Sequence, residues 1–261
     1  MKAAVFQGVG KLLAIEERPD PSPGPGEAVI KVGRAGICGS DLHMTSEPGT
    51  TIAPGTIIGP ELAGEVVAPF VGCGHCAACS DGRPHHCAQA RIDVVTGLAH
   101  FSRVGVGDCV VLPPELSDAD GALIEPLAVG LQGVRKAQMR IGCRALVLGA
   151  GPIGLASAFW ARRLGASRVV VVAHSRRRER FARDFGATHF IAQSDVAEPA
   201  AAINDALGGP PEVVFEAVGL PGAIGKAMEY VAPRGTIIGL GFTTGSDSYS
   251  CAVALMKEVL L

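Results

Sequence analysis

The stretch RALVLGAGPIGLASAFWARRLGASRVVVVA, Arg144 to Ala173, decides the fold of the second half of this chain. RALVL is a short apolar run of strand type. Gly149, Gly151 and Gly154 follow as GxGxxG, and Pro152 opens a segment with helical spacing that reaches Leu164. RVVVVA is a second strand. Strand, glycine turn, helix, strand is the βαβ unit that cradles a dinucleotide: the first glycine makes the tight turn, the second lets backbone approach a pyrophosphate, and the third lets helix and strand close up. The phosphates then sit at the positive end of a helix opened by Pro152 and Ile153.

The pattern continues outward from this unit. An arginine-rich helix is predicted to end near Phe185 with Gly186 as its stop. Beyond it lie the strand THFIAQ, a helix over Pro199 to Leu207, the strand EVVFEAVG, a helix to Val231 and the strand GTIIGLG. Apolar runs of four to six residues between helices indicate strands buried on both faces, hence a Rossmann doubly wound parallel sheet. KEVLL reads as one more strand, after which the chain stops as if a segment were missing. Before about Gly121 the texture differs: KAAVF, AVIKVGRAGI and LAGEVV are short β runs set among Pro and Gly clusters such as PDPSPGPGE. The expected organisation is an irregular β domain over residues 1–120 and a dinucleotide-binding domain over 121–261, an α/β class overall.

A dinucleotide site that prefers NAD carries Asp or Glu at the end of the second strand, about 20 residues past the glycines, to hold the ribose 2′-hydroxyl. Here that place is Ala173, followed by His174, Ser175 and Arg176 to Arg178. Ser175 and Arg176, with Arg177 in support, are placed to pair with a 2′-phosphate, so the pattern predicts NADP over NAD.

Four of the eight cysteines fall in CGHCAACSDGRPHHC, with Cys73, Cys76, Cys79 and Cys87 spaced as CxxCxxCx7C. Four thiolates this close can close a tetrahedral shell, which is a structural zinc site; His75, His85 and His86 are spare donors. An iron–sulfur cluster is the competing reading, but the cysteine run of bacterial ferredoxins is absent.

Composition narrows the partner. Lys and Arg number 23 against 25 Asp and Glu, so no basic footprint for nucleic acid or an anionic membrane exists, and 48% hydrophobic residues exclude a disordered chain. No run of about 18 apolar residues is present to span a membrane. The expectation is a cytoplasmic protein acting on a small molecule.

GICGSDLH at Gly36 to His43, GPELAGEVV at Gly59 to Val67, the cysteine lobe, IEPLAVG at Ile124 to Gly130 and VLGAGPIG at Val147 to Gly154 together resemble the medium-chain, zinc-dependent alcohol and polyol dehydrogenases, nearest the sorbitol and threonine dehydrogenase branch. The resemblance implies a GroES-like β domain carrying catalytic zinc and a Rossmann domain, paired as a homodimer or homotetramer. It implies Cys38 as a catalytic zinc ligand, Ser40 as the hydroxyl that takes the alcohol proton, His43 as the next step of the relay, Asp41 as an orienter, and Glu125 as a further ligand or its close neighbour. Zinc with an open position would stabilise the alkoxide from which hydride leaves.

The chain departs from the pattern at GHE, whose histidine ligates zinc: here it reads Gly59, Pro60, Glu61. Proline cannot ligate, which leaves Cys38, Glu61 and Glu125 as a harder, weaker set. Only Ala68 to Gly72 separates Val67 from Cys73 where the family has a longer excursion, and the C-terminal return to the catalytic domain is missing. The leading expectation is a zinc-dependent oxidoreductase moving hydride between NAD(P) and a secondary alcohol or polyol. Two alternatives stand beside it: a catalytically impaired NADPH-binding homologue, and a zinc-independent quinone or enone reductase.

Overall fold

The computed structural model describes residues 1–23, 27–46, 52–64, 66–67, 73–83, 86–89, 96–243 and 245–261. His85 and the Ala68 to Gly72 segment lie outside the described residues. Two compact units divide the chain, Met1–Glu125 and Pro126–Leu261.

The first unit is built of short antiparallel pairs. Strand β1 (Lys2–Val5) pairs with β2 (Ala14–Glu17), β3 (Glu27–Lys31) reaches across the unit to a later strand, and β4 (Arg34–Ala35) precedes helix α1 (Gly39–Ser46). β5 (Leu62–Ala63) pairs with β4, and β6 (Val66–Val67) comes next. Helix α2 (Ala77–Ser80) lies in the cysteine lobe, β7 (Phe101–Gly105) is the partner of β3, and β8 (Cys109–Val110) is the partner of β6. Ile30, Leu62 and Val104 form one buried cluster in this unit, and Val5 and Phe6 are also fully buried. Helix α3 (Asp118–Gly121) starts at a capping box, in which Ser117 and Asp120 bond each other's backbone amides.

The second unit opens on helix α4, which spans Ile124–Lys136, and on β9 (Arg144–Leu148), α5 (Pro152–Arg163) and β10 (Arg168–Ala173). It continues through α6 (Glu179–Asp184), β11 (His189–Ala192), α7 (Pro199–Leu207), β12 (Val213–Glu216), α8 (Ala223–Tyr230) and β13 (Thr236–Gly239). The five strands form one parallel sheet in the order β11-β10-β9-β12-β13, which places β9 and its glycine turn at the point where strand order reverses. Alternation along β10 divides the core: Val169 and Val171 pack on one face of the sheet with Val147 and Phe215, Val170 and Val172 on the other with Leu146 and Val214. Each of these side chains is buried on its own face of the sheet, and each contributes about 1.5–3 kcal/mol.

One expectation is corrected at the C-terminus. The residues before KEVLL form helix α9 (Cys251–Lys257), whose N-cap Ser250 accepts from the Val253 amide, and Glu258 turns left-handed after it. Only Leu260 then makes a parallel bridge, to Thr236, beside β13. A Ser N-cap ahead of an Ala- and Leu-rich turn favours helix, and the apolar VLL that suggested a strand supplies one bridge.

Candidate functional site

Sheet topology puts the glycine turn where a ligand can reach it. Gly149 takes a positive φ of 97° and donates its amide to the Val172 carbonyl at 2.8 Å; a Cβ there would come within 2.9 Å of the Ala217 carbonyl oxygen. A Cβ on Gly154 would strike the Gly149 carbonyl, so helix and strand can close only around glycine. Gly151 N-caps α5 with Pro152 at its first turn, and Ser157 bonds back to the Ile153 carbonyl at 2.8 Å. A cavity of about 540 Å³ lies over this turn, lined among others by Gly149, Gly151, His174, Gln193, Val218 and Lys226. Room at Gly151, where a Cβ would meet nothing closer than an Arg178 nitrogen at 3.8 Å, is what a pyrophosphate needs. The residues fit a dinucleotide.

Three groups that sequence reasoning missed shape this cleft. Arg178 donates to the Ala150 carbonyl at 3.1 Å, tying the turn after β10 to the glycine turn. Glu216, buried at the end of β12, accepts the Val218 and Gly219 amides at 2.6 and 3.0 Å. Asp247 accepts the Gly222 and Ile224 amides at 2.8 and 2.9 Å, which holds its carboxyl below the usual range. The only signal in the sequence was the acidic residue closing an otherwise apolar strand at Glu216.

The expected 2′-phosphate group is only partly available. Ser175 and Arg177 are exposed, but Arg176 bonds Asp195 through Nε at 2.6 Å and Glu179 through Nη1 at 2.7 Å.

In the first unit, the backbone turns from β4 into α1 at Cys38. Asp41 is buried and accepts the Cys38 amide on Oδ2 at 3.0 Å. Its Oδ1 is buried and makes no hydrogen bond among the described residues. Burial pushes the Cys38 thiol up, Ser40 pulls it down through hydroxyl and amide, and Glu61 pushes it up again, for a net rise. Burial likewise raises Glu61, partly offset by its hydrogen bond with Cys38. Glu125, at the start of α4, is pushed up to about 7 by burial and then by the charge of Glu61. His43 sits half-buried in α1.

Cys38, Ser40, Asp41 and Glu61 therefore form one cluster, with Glu125 near enough to sense Glu61. A catalytic zinc needs donors about 2.0–2.3 Å from the metal, hence close to one another. Among the described residues the only set of three or more Cys, His, Asp or Glu side chains whose donor atoms converge that closely is the cysteine quartet. Cys38, Glu61 and Glu125 do not converge, Pro60 offers no donor, and Asp41 keeps an orphaned oxygen. These residues do not fit the catalytic zinc expected of them.

The cysteine lobe does fit a metal. The sulfurs of Cys73, Cys76, Cys79 and Cys87 lie within 4.8 Å of one another, with Cys76 and Cys79 3.6 Å apart. The Cys73 and Gln89 amides donate to the Cys87 sulfur at 3.4 and 3.3 Å. Cys73 is drawn down to about 6, chiefly by the His75 amide. Against the pull of the Gly74 amide, Cys79 is driven up to about 11 by burial and its thiol neighbours. His75 turns its Nδ1 to the Cys73 carbonyl at 2.9 Å, leaving four sulfurs as the tetrahedral donor set for zinc.

Comparison with known proteins agrees with this architecture. Residues 24–116 match the alcohol dehydrogenase GroES-like domain, and residues 152–261 match the zinc-binding dehydrogenase domain. Sorbitol dehydrogenase of Bos taurus is 31% identical over 281 residues, covering 98% of this chain and 79% of that protein. An alcohol dehydrogenase of E. coli CFT073 solved with NADH superposes with a TM-score of 0.86 at 27% identity, over 100% of this chain and 82% of the other. A Sinorhizobium meliloti 1021 protein solved with NADP gives 0.84 at 27% identity, over 99% and 82%. With its GroES-like and Rossmann units, its glycine turn and its four-cysteine lobe, this chain belongs to the zinc-binding alcohol and polyol dehydrogenase family.

Proposed function

We propose that the protein is an NAD(P)-dependent oxidoreductase that moves hydride between the nicotinamide and a secondary alcohol or polyol, and the corresponding ketone. The observation that carries this is the Gly149 to Gly154 turn under its 540 Å³ cleft, a site built for a dinucleotide, in a chain akin to sorbitol dehydrogenases. The Met1–Glu125 unit supplies the reacting groups and the Pro126–Leu261 unit holds the cofactor.

In the oxidising direction the alcohol carbon gives a hydride to the oxidised dinucleotide and its hydroxyl gives up a proton, leaving ketone and reduced dinucleotide. Ser40 is the group assigned to take that proton, and His43, one turn along α1, passes it on. Cys38 and Glu125 complete the polar wall of the pocket, and the Ser40 hydroxyl is oriented by the Cys38 sulfur. NADP is the preferred cofactor, because Ala173 puts no carboxylate at the end of β10 and Ser175 and Arg177 stand exposed beside it. Cys73, Cys76, Cys79 and Cys87 would hold a zinc, which would cross-link the segment from Cys73 to Cys87.

Turnover of a panel of polyols and their ketones with NADP(H) and NAD(H) tests this reading. Oxidation of a polyol with NADP, lost in Ser40→Ala, is the expected result. Pro60 and the orphaned oxygen of Asp41 favour a second reading, a protein that binds NADPH without turning it over. Tight NADPH binding with no turnover of any panel member would select it.

A further inference from the structure

The pocket around Cys38 holds a buried carboxylate, one of whose oxygens has no hydrogen-bond partner among the described residues. Asp41 is 2% exposed, and its Oδ2 is used by the Cys38 amide, while Oδ1 has no hydrogen-bond partner among the described residues. The backbone amide of Gly59, like that of Cys38, favours the charged form of this carboxylate. Gly59 directly precedes Pro60. A buried acceptor left unmade costs free energy and is rare in a native structure unless a partner is expected there. A histidine that ligates a metal through one ring nitrogen donates its other N–H to just such a carboxylate, which fixes the ring. In the same cluster the Cys38 thiol donates to the Glu61 carboxylate, and the two are metal-binding groups of a site that needs a third.

We propose that this chain carries one zinc, in the Cys73 to Cys87 lobe, and that the Cys38 pocket is a metal site emptied by a single residue, Pro60, which has retained Asp41 as the carboxylate that would orient an imidazole at that position. Cys38, Glu61 and position 60 are the ligands of the restored site, and Asp41 is its positioning residue. The class of ligand is a divalent cation of zinc type, chosen by one thiolate, one imidazole and one carboxylate together.

Zinc per chain, measured by elemental analysis of the purified full-length protein, tests this independently of turnover. Expected are one zinc in the native chain, one in Cys38→Ser, two in Pro60→His, and one in Pro60→His combined with Cys38→Ser. Adding Asp41→Asn to Pro60→His should weaken the second zinc by about 10–100-fold. Two zincs in the native chain with one lost in Cys38→Ser would overturn the proposal, and so would a folded Pro60→His protein that still holds one. Should Pro60→His fail to fold, cobalt substitution of the native protein decides. A tetrathiolate spectrum unchanged by Cys38→Ser supports the emptied site, and cobalt lost with that substitution refutes it.

Discussion

Arg176 reaches Asp195 across the ends of two neighbouring parallel strands, Nε to Oδ2 at 2.6 Å, and its other arm holds Glu179 at 2.7 Å. Ser194 and then Arg176 hold the Asp195 carboxyl below the usual range, and Arg183 and then Arg176 do the same for Glu179. Both groups stay ionised at every pH above that depressed range, and their contribution is lost only as acid passes through it. Near neutrality both carboxylates of this lock are ionised, and because the pairs are exposed, added salt weakens them while pH does not.

Asp195→Asn removes the carboxylate that competes with a phosphate for Arg176 and keeps the side-chain shape. NADP affinity should rise about tenfold while NAD affinity changes little, since a dianion gains most from a freed guanidinium. Ala173→Asp should act in the opposite sense, weakening NADP and favouring NAD through the ribose hydroxyls. Quenching of protein fluorescence by each cofactor measures both ratios, and an unchanged NADP to NAD ratio in both variants would place the 2′-phosphate elsewhere.

Gly154→Ala forces a Cβ into the Gly149 carbonyl and within 3.3 Å of a Val147 methyl. Neither neighbour can yield, because one is backbone at the cofactor turn and the other is buried in the sheet. Overpacking of this kind costs about 1–3 kcal/mol, and the shifted turn should lower dinucleotide affinity at least about tenfold. Thermal melting with and without NADP reads both effects, and a variant that kept native affinity would show that the turn is not the pyrophosphate site.

The second unit was legible because its strands are uninterrupted apolar runs buried on both faces, such as Val169 to Val172, and because glycine at 149 and 154 answers a purely local steric demand. The Arg176 lock was not legible. Asp195 lies 19 residues away and meets Arg176 only because β11 pairs beside β10. The same limit hid the state of the Cys38 pocket. Pro60 announced a lost ligand from its residue type alone, whereas the burial of Asp41 and its unpartnered Oδ1 are tertiary facts that no local pattern encodes. At the C-terminus, VLL has strand composition, but the Ser250 cap set the preceding turns helical.

Glu216→Ala would leave the Val218 and Gly219 amides unpaired in a nearly closed environment, since Glu216 is 3% exposed. Each such amide costs about 1–3 kcal/mol when its acceptor is removed. A marked fall in melting temperature should accompany weaker dinucleotide binding, because Val218 lines the cleft. Glu216→Gln retains an oxygen at the same place and should recover most of both losses, which a merely bulky role for Glu216 would not distinguish from Glu216→Leu.

Lys257, at the end of α9, donates to the carbonyls of Met228, Glu229 and Val231 at 2.8–2.9 Å, closing the C-terminal end of α8. Burial lowers its pKa, but the three acceptors and the helix dipole favour a cation there. Lys257→Met keeps the stem and removes the donors, so destabilisation of about 1–2 kcal/mol is expected, seen as a lower denaturant midpoint with an unchanged slope.

Zinc removal should separate the two units energetically. The sulfurs of the quartet lie within 4.8 Å of one another, and a metal bound to the folded lobe would add its binding free energy to stability. A strong chelator, or Cys76→Ser, should therefore lower the melting temperature by several degrees and open residues 73–83 to protease. The cleft lined by Gly149, Val218 and their neighbours contains none of these residues, so NADP affinity should change by less than about twofold. Coincident loss of zinc and cofactor binding would mean instead that the lobe supports the dinucleotide site, and the assignment of separate roles to the two units would fail.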